Sequence, residues 1–343
     1  MSEASGEALV SLEEVRAAAD RVHGVVRRTP LVPGELPGDG GRVWLKCENL
    51  QHGGAFKIRG AYNFIALLGD EERERGLVTY SSGNHAQGVA RAASAFGARA
   101  VIVMPEDAPA VKVQGTRRLG GEIVLEGHTT TERRGRAEEI AREAGATVVP
   151  PFDHRHIIAG QGTAALEAVD QLRAAAEDGR ADAAEPSVVV VPIGGGGLVS
   201  GHAAALAELC PGCRVVGVEP EGAPSMKRSL EAGEPVSLER VETIADGLKP
   251  VRPGDLTFRH VRELVDRVVT VSEEALVRGL RWCFERGLVV EPSGGATVAA
   301  LLEGAVSAGD AAGEEVVAVL SGGNADPAAY GAWIDEGDHR SST

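Results

Sequence analysis

Aromatic residues are scarce in this chain: three Trp, three Tyr and six Phe in 343 residues. The apolar 43% is therefore mostly Ala, Val and Leu, and any core must be built from those side chains. Positive charge is also short, with 35 Lys and Arg against 50 Asp and Glu and a formal net charge of −15. Phosphate backbones need a basic surface, so general nucleic-acid binding is excluded, and the acidic balance reads as solubility. No apolar run reaches the roughly 20 residues of a membrane span. The opening MSEASGEALVSLEEV lacks the charged-then-apolar pattern of a secretory signal. A cytoplasmic protein with no membrane partner is expected.

Cysteine is limited to Cys47, Cys210, Cys213 and Cys283. Cys210-Pro211-Gly212-Cys213 has the spacing of a redox motif. It stands between a helical pattern and the strand-like Arg214–Val218, so Pro211-Gly212 reads as a helix-to-strand turn. His154 and His156 have no further ligand at metal spacing beyond Asp153 and read as loop histidines. No GxxxxGK[ST] is present, which removes a P-loop triphosphatase.

Glycine is plentiful, at 45 residues, and gathers at turns between apolar runs. Strand-like runs lie at 43–47, 77–80, 100–104, 122–125, 147–149, 188–193, 215–219, 267–271 and 316–320, and no internal repeat relates them. Helical patterns cover 87–96, 131–144, 162–176 and 273–286. Continuous Val/Ile strands separated by helices predict a two-lobed α/β protein, with mostly parallel twisted sheets covered by helices on both faces. The polar end of the chain, from about residue 328, predicts a loose tail.

Three strand ends carry chemistry, and ligands gather at the carboxyl ends of strands in open parallel sheets. The first is Gly194-Gly195-Gly196-Gly197, between a valine strand and a helix. Four glycines cost backbone entropy, and bare N–H groups at a helix start bind phosphate. A flexible loop is the plain alternative. A dinucleotide site is a formal rival, since Glu219 lies roughly 20 residues on. The second is Tyr80-Ser81-Ser82-Gly83-Asn84-His85, where donors crowd a helix start suited to a carboxylate. Ordinary capping accounts for one of them. The third is Ser321-Gly322-Gly323-Asn324.

Lys57 stands between Phe56 and Ile58, just after Gly53-Gly54-Ala55. Apolar neighbours disfavour the ammonium and free the amine for a Schiff base. A lysine whose head snorkels to water is the alternative.

Together these pieces resemble the pyridoxal-phosphate enzymes of fold type II (tryptophan synthase β-like), specifically the threonine/serine dehydratase and serine racemase family. The matching segments include Lys46–Gln51, Ala55–Ala61, Ser82–Gly88, Pro109–Lys112, Ala159–Thr163, Gly194–Gly197, Val218–Pro220, Ala245–Gly247, Glu291–Gly294 and Ser321–Asn324, in the family's order. The resemblance implies that Lys57 is the Schiff-base lysine and proton shuttle, and that Phe56 and Gly247 flank the cofactor ring. Asn84 would bond the ring hydroxyl, Gly194, Gly195, Gly196 and Gly197 the phosphate, and Ser321 the ring nitrogen. Glu291 would also contact the cofactor. Ser81, Ser82, Asn84 and His85 would hold the substrate carboxylate.

The implied reaction is α-proton abstraction and β-hydroxyl elimination from L-threonine or L-serine, giving a 2-keto acid and ammonia. Serine racemisation and elimination from 3-hydroxyaspartate are the alternatives, with Ser82 as second-face acid–base group in a racemase. Residues 1–68 and 154–343 would form the large cofactor domain and 69–153 a small mobile domain, in a homodimer. Two departures stand out. Gly53 and Ala55 replace hydroxyl residues. In the divalent-cation site of some members, Glu219 and Ala223 match, but Ser225 replaces an Asp, which weakens a hard-cation site.

Overall fold

In the computed structural model, residues 8–36, 42–81, 83–108, 110–307 and 314–335 are described. The apolar runs are strands: β1 (Leu31–Gly34), β2 (Arg42–Lys46), β3 (Leu77–Tyr80), β4 (Ala100–Met104), β5 (Glu122–Leu125), β6 (Thr147–Val148), β7 (Val188–Pro192), β8 (Arg214–Pro220), β9 (Arg267–Val271) and β10 (Glu315–Val319). Among the described residues they form a six-stranded sheet, in the order β1-β2-β10-β7-β8-β9, and a four-stranded sheet, β5-β4-β3-β6. Every pairing is parallel except β1 with β2.

The continuity of the valine runs has a cause on each side of the large sheet. Side chains alternate across a strand, and both faces are covered. Trp44, Val189, Val191, Val317 and Val319 enter one core, against the helices Leu12–Val22, Arg155–Glu177 and Gly197–Leu209. Val43, Leu45, Val188, Val190, Val316 and Ala318 enter the other, against Glu273–Glu285 and Pro292–Leu302. A polar residue at any of these positions would lose its water on either face.

β1 is absent from the sequence reading because Leu31-Val32-Pro33-Gly34 looks like a turn. It pairs antiparallel at the sheet edge, where Pro is tolerated. The loose tail expected from residue 328 is corrected: Pro327–Asp335 is a helix, with Tyr330 buried and Trp333 and Ile334 packed on the second core. Residues 336–343 lie outside the described residues. The expected helix at 162–176 begins earlier, at Arg155. His154 is its N-cap and His156 lies in its first turn, so these are helix-start histidines. Cys210-Pro-Gly-Cys213 is a turn between helix Gly197–Leu209 and β8, closed by Cys213 N–H donating to Cys210 O at 2.9 Å. Burial pushes the two thiols up to about 11 and about 12, which removes thiolate chemistry at neutral pH. No helix among the described residues is long and apolar enough to cross a membrane.

Helix Lys57–Ala66 joins the two sheets. Ile58, Ala61, Phe64 and Ile65 share one core with Val89, Ala92 and Ala93 of helix Asn84–Ala95 and with Ile157 of the long helix. The crossing with the long helix is close: a methyl on Gly160 would sit 2.6 Å from the Gly60 Cα. A buried ion network fixes the same helix. The Arg59 guanidinium meets Glu48 through Nε at 2.8 Å and Glu167 through Nη1 at 2.7 Å. Lys46 Nζ lies 2.7 Å from Glu167. Motif residues that carry no visible chemistry thus hold the lysine-bearing helix to β2 and the long helix.

Candidate active site

Lys57 opens its helix, with Phe56 as N-cap. Phe56 N–H donates to Ser321 O, and Ala55 bridges Gly322, so the lysine turn is seated on the loop that follows β10. The amine lies 5.1 Å from the Phe56 ring centroid and donates to Pro151 O at 2.9 Å. Desolvation pushes its pKa down to about 8, a nearby Glu291 carboxyl opposing the shift. The sequence left the snorkelling alternative open. In the structure the amine is tied to a carbonyl inside the protein.

The loop after β10 gathers further residues. Glu291 N–H donates to Gly322 O at 3.0 Å. Asn84 Nδ2 donates to Glu291 Oε1 at 2.5 Å, and Asn324 Nδ2 donates to Asn84 Oδ1 at 2.9 Å. Ser321 Oγ and Gly247 N–H meet at Ser293: Ser321 Oγ donates to Ser293 O at 3.3 Å, and Gly247 N–H to Ser293 Oγ at 2.8 Å. Gly247 in turn lies against the tetraglycine, where a methyl on Gly194 would sit 2.6 Å from Gly247 O. Lys57, Phe56, Asn84, Gly194, Gly247, Glu291 and Ser321 therefore form one connected group.

The tetraglycine turns between β7 and helix Gly197–Leu209, with Gly196 as N-cap at φ +97°. Among the described residues, the N–H groups of Gly194, Gly195 and Gly196 donate to no acceptor. A methyl on Gly195 would sit 2.2 Å from the Phe152 ring, so the bare backbone is required there. The arrangement is a concave row of free donors at a helix start, the geometry that takes a phosphate.

The helix Asn84–Ala95 starts at the end of β3. Gly83 N–H donates to Ser81 Oγ at 3.2 Å. Ser82 lies outside the described residues. His85 is buried, with Nε2 bonded to Val149 O at 3.2 Å and Nδ1 without a partner. Desolvation, with the Lys57 charge adding to it, lowers its pKa to about 3, so the ring is neutral.

Glu219, Ala223 and Ser225 surround the backbone of Met226, whose side chain reaches Gly196 of the tetraglycine. Glu219 accepts from Met226 N–H at 2.8 Å and Lys227 N–H at 2.9 Å, at the start of helix Ser225–Ala232. Burial raises its pKa to about 7. Among the described residues no cluster of three or more His, Cys, Asp or Glu is placed to hold a metal.

The sequence reading missed the segment Val149–Asp153. It crosses from β6 to the long helix and touches each part of the site. Val149 O accepts from His85 and Pro151 O from Lys57. The Phe152 ring covers Gly195, and Asp153 caps helix Asp255–Leu264. No motif announces it, because two of its four contributions are backbone carbonyls.

A lysine with a depressed pKa, in one connected group with a phosphate-shaped glycine turn at parallel strand ends, defines a cofactor enzyme of the α/β class. The chain belongs to the family described as pyridoxal-phosphate dependent enzyme, whose model matches residues 22–322. It is 44% identical over 321 residues to the L-threonine ammonia-lyase of Thermotoga maritima, covering 93% of this chain and 76% of that protein. It is 39% identical over 324 residues to the L-threo-3-hydroxyaspartate ammonia-lyase of Saccharomyces cerevisiae, covering 94% of this chain and 95% of that one. The solved structure of maize serine racemase superposes with a TM-score of 0.85 at 35% identity, covering 96% of this chain and 98% of that chain.

The residues present fit pyridoxal phosphate. The free glycine amides suit its phosphate, the Lys57 amine its aldehyde, and the unpartnered buried Nδ1 of His85 is a polar atom left over for a ligand. The two-lobed fold with mostly parallel sheets is the fold expected from the sequence.

Proposed function

We propose that this protein is a pyridoxal-phosphate-dependent ammonia-lyase that eliminates the β-hydroxyl of L-threonine or L-serine as water and regains one water on hydrolysis, so that the net products are a 2-keto acid and ammonia. The observation that carries this is the Lys57 amine, held inside the protein with its pKa near 8, in one connected group with the tetraglycine turn. Pyridoxal phosphate, when bound, supplies the electron sink that stabilises a carbanion at the substrate α-carbon.

The protein's own groups do the rest. The amides of Gly194–Gly197 hold the phosphate at a helix start. Phe56 and Gly247 would flank the ring, Asn84 would bond its hydroxyl with Glu291 beside it, and Ser321 would take its nitrogen. A neutral hydroxyl there would bring no charge to hold a proton on that nitrogen. Ser81, Asn84 and His85 stand at the start of a helix, where the dipole favours the substrate carboxylate, and Ser82 follows Ser81 in sequence. The Lys57 amine takes the α-proton as general base, since a pKa near 8 leaves part of it free at neutral pH. The four-stranded sheet carries the carboxylate-binding helix, and its closure over the cleft excludes water.

Cation use is not built into this reading. Both Glu219 oxygens are engaged by helix N–H groups, and Ser225 brings no charge. A homodimer rests on the family resemblance, and sedimentation tests it. Substrate choice is tested by keto-acid release from threonine, serine and 3-hydroxyaspartate. Release from threonine or serine supports the assignment. Release from 3-hydroxyaspartate alone replaces the substrate.

A further inference from the structure

Helix Asp255–Leu264 starts beside the tetraglycine turn, and its start is held by a carboxylate from another part of the chain. Asp153 Oδ2 accepts from Asp255 N–H at 3.0 Å, and Oδ1 accepts from Leu256 N–H at 3.0 Å and Thr257 N–H at 3.1 Å. A methyl on Gly254 would sit 2.1 Å from the Asp153 carboxyl carbon, so residue 254 must be glycine for this seat to form.

The helix passes the constraint on to the glycines. Thr257 Oγ1 donates to Gly195 O at 2.7 Å. A methyl on Gly196 would sit 2.8 Å from Thr257 Cβ. Phe152, next in sequence to Asp153, lies against the same turn, with its ring at Gly195 and its Cβ and backbone at Gly197. The turn is thus clamped between Phe152 and Thr257, and Asp153 joins the two jaws.

A glycine run is the most mobile backbone a chain can offer. Its N–H groups bind an anion well only when already aimed, because ordering them on binding subtracts from affinity. Resting on the cofactor reading above, we infer that Asp153 is a positioning residue that acts through Thr257 to pre-aim the tetraglycine amides at the cofactor phosphate. Pro151, two residues before Asp153, bonds the Lys57 amine. The same segment therefore sets the distance between the Schiff-base end of the site and its phosphate end.

The test separates the phosphate from the aldehyde. The full chain, freed of cofactor, is titrated with pyridoxal phosphate and with pyridoxal, which lacks the phosphate, and capture is read as the visible absorption band. Asp153→Asn and Thr257→Val are each compared with wild type. Both are expected to weaken pyridoxal phosphate about tenfold, the scale of one hydrogen bond, and to leave pyridoxal capture unchanged. Equal loss for both compounds, or loss for neither, overturns the inference. If Asp153→Asn does not fold, Thr257→Val carries the same test, since the valine matches its shape and lacks only the hydroxyl. A wild-type chain that captures neither compound overturns the cofactor reading itself, and this inference with it.

Discussion

Lys57 Nζ donates to the carbonyl oxygen of Pro151 at 2.9 Å. The bond joins the first residue of a helix to a segment that leaves the four-stranded sheet. It ties the amine to the residue before Phe152, whose ring lies on Gly195, while the surrounding protein strips water from it. Desolvation favours the neutral amine, and the pKa falls from 10.5 to about 8.

The pH dependence of cofactor capture follows from that value. The nucleophile is the free amine, which is present above the pKa and lost below it. The rate at which the cofactor-free protein takes up pyridoxal phosphate should rise about tenfold per pH unit below pH 8 and level off above it. A profile that keeps rising to pH 10 would mean that the lysine is not desolvated.

The buried network behind Lys57 should be costly to break. Glu48 and Arg59 are both fully enclosed. Burial alone would raise the Glu48 pKa, but the Arg59 charge outweighs it and holds the carboxyl down to about 2. Glu48→Gln leaves the guanidinium short of a buried partner and should destabilise the protein by about 3–5 kcal/mol, read as a lower urea midpoint. The sign with pH follows. The folded pKa is below the unfolded 4.5, so the contribution is present above pH 4.5 and fades as the pH falls toward 2. Wild type should lose more stability than Glu48→Gln over that interval.

Gly195→Ala should abolish tight cofactor binding. The added methyl would meet the Phe152 ring at 2.2 Å, well inside contact distance. Equilibrium dialysis should show pyridoxal phosphate affinity falling by at least about tenfold, the equivalent of the 1–3 kcal/mol usual for an overpacked site. Gly53→Ala is a useful contrast. It has open space around the added methyl, although its φ of +75° makes it strained, and it should lose stability more than cofactor affinity.

These two predictions draw on different levels of legibility. Lys57, the tetraglycine and the Ser321 loop were readable in the sequence because each combines an unusual residue type with a strand end. The strands were readable because both faces of the large sheet are covered, so valine runs go unbroken. β1 was not, since Pro33 and Gly34 give turn chemistry and only edge pairing makes them a strand. The roles of Glu48, Arg59 and Asp153 were also hidden. Each acts through partners between 11 and 108 residues away in sequence, or through backbone N–H groups that leave no mark in the sequence.

Ser82 offers the test between elimination and racemisation. If it is the acid–base group on the face opposite Lys57, Ser82→Ala should remove racemisation of serine and spare keto-acid release. Chiral chromatography and a keto-acid assay on the same sample read both. Parallel loss of the two activities would assign Ser82 to carboxylate binding instead.

The central claim is that Lys57 holds pyridoxal phosphate and moves the substrate proton. The most direct measurement is the visible absorption spectrum of the purified protein beside that of Lys57→Ala, taken before and after threonine is added. The account predicts a cofactor band in wild type that shifts with threonine as keto acid is released, and neither band nor turnover in the variant. A Lys57→Ala protein that keeps the wild-type band and still releases keto acid would contradict it.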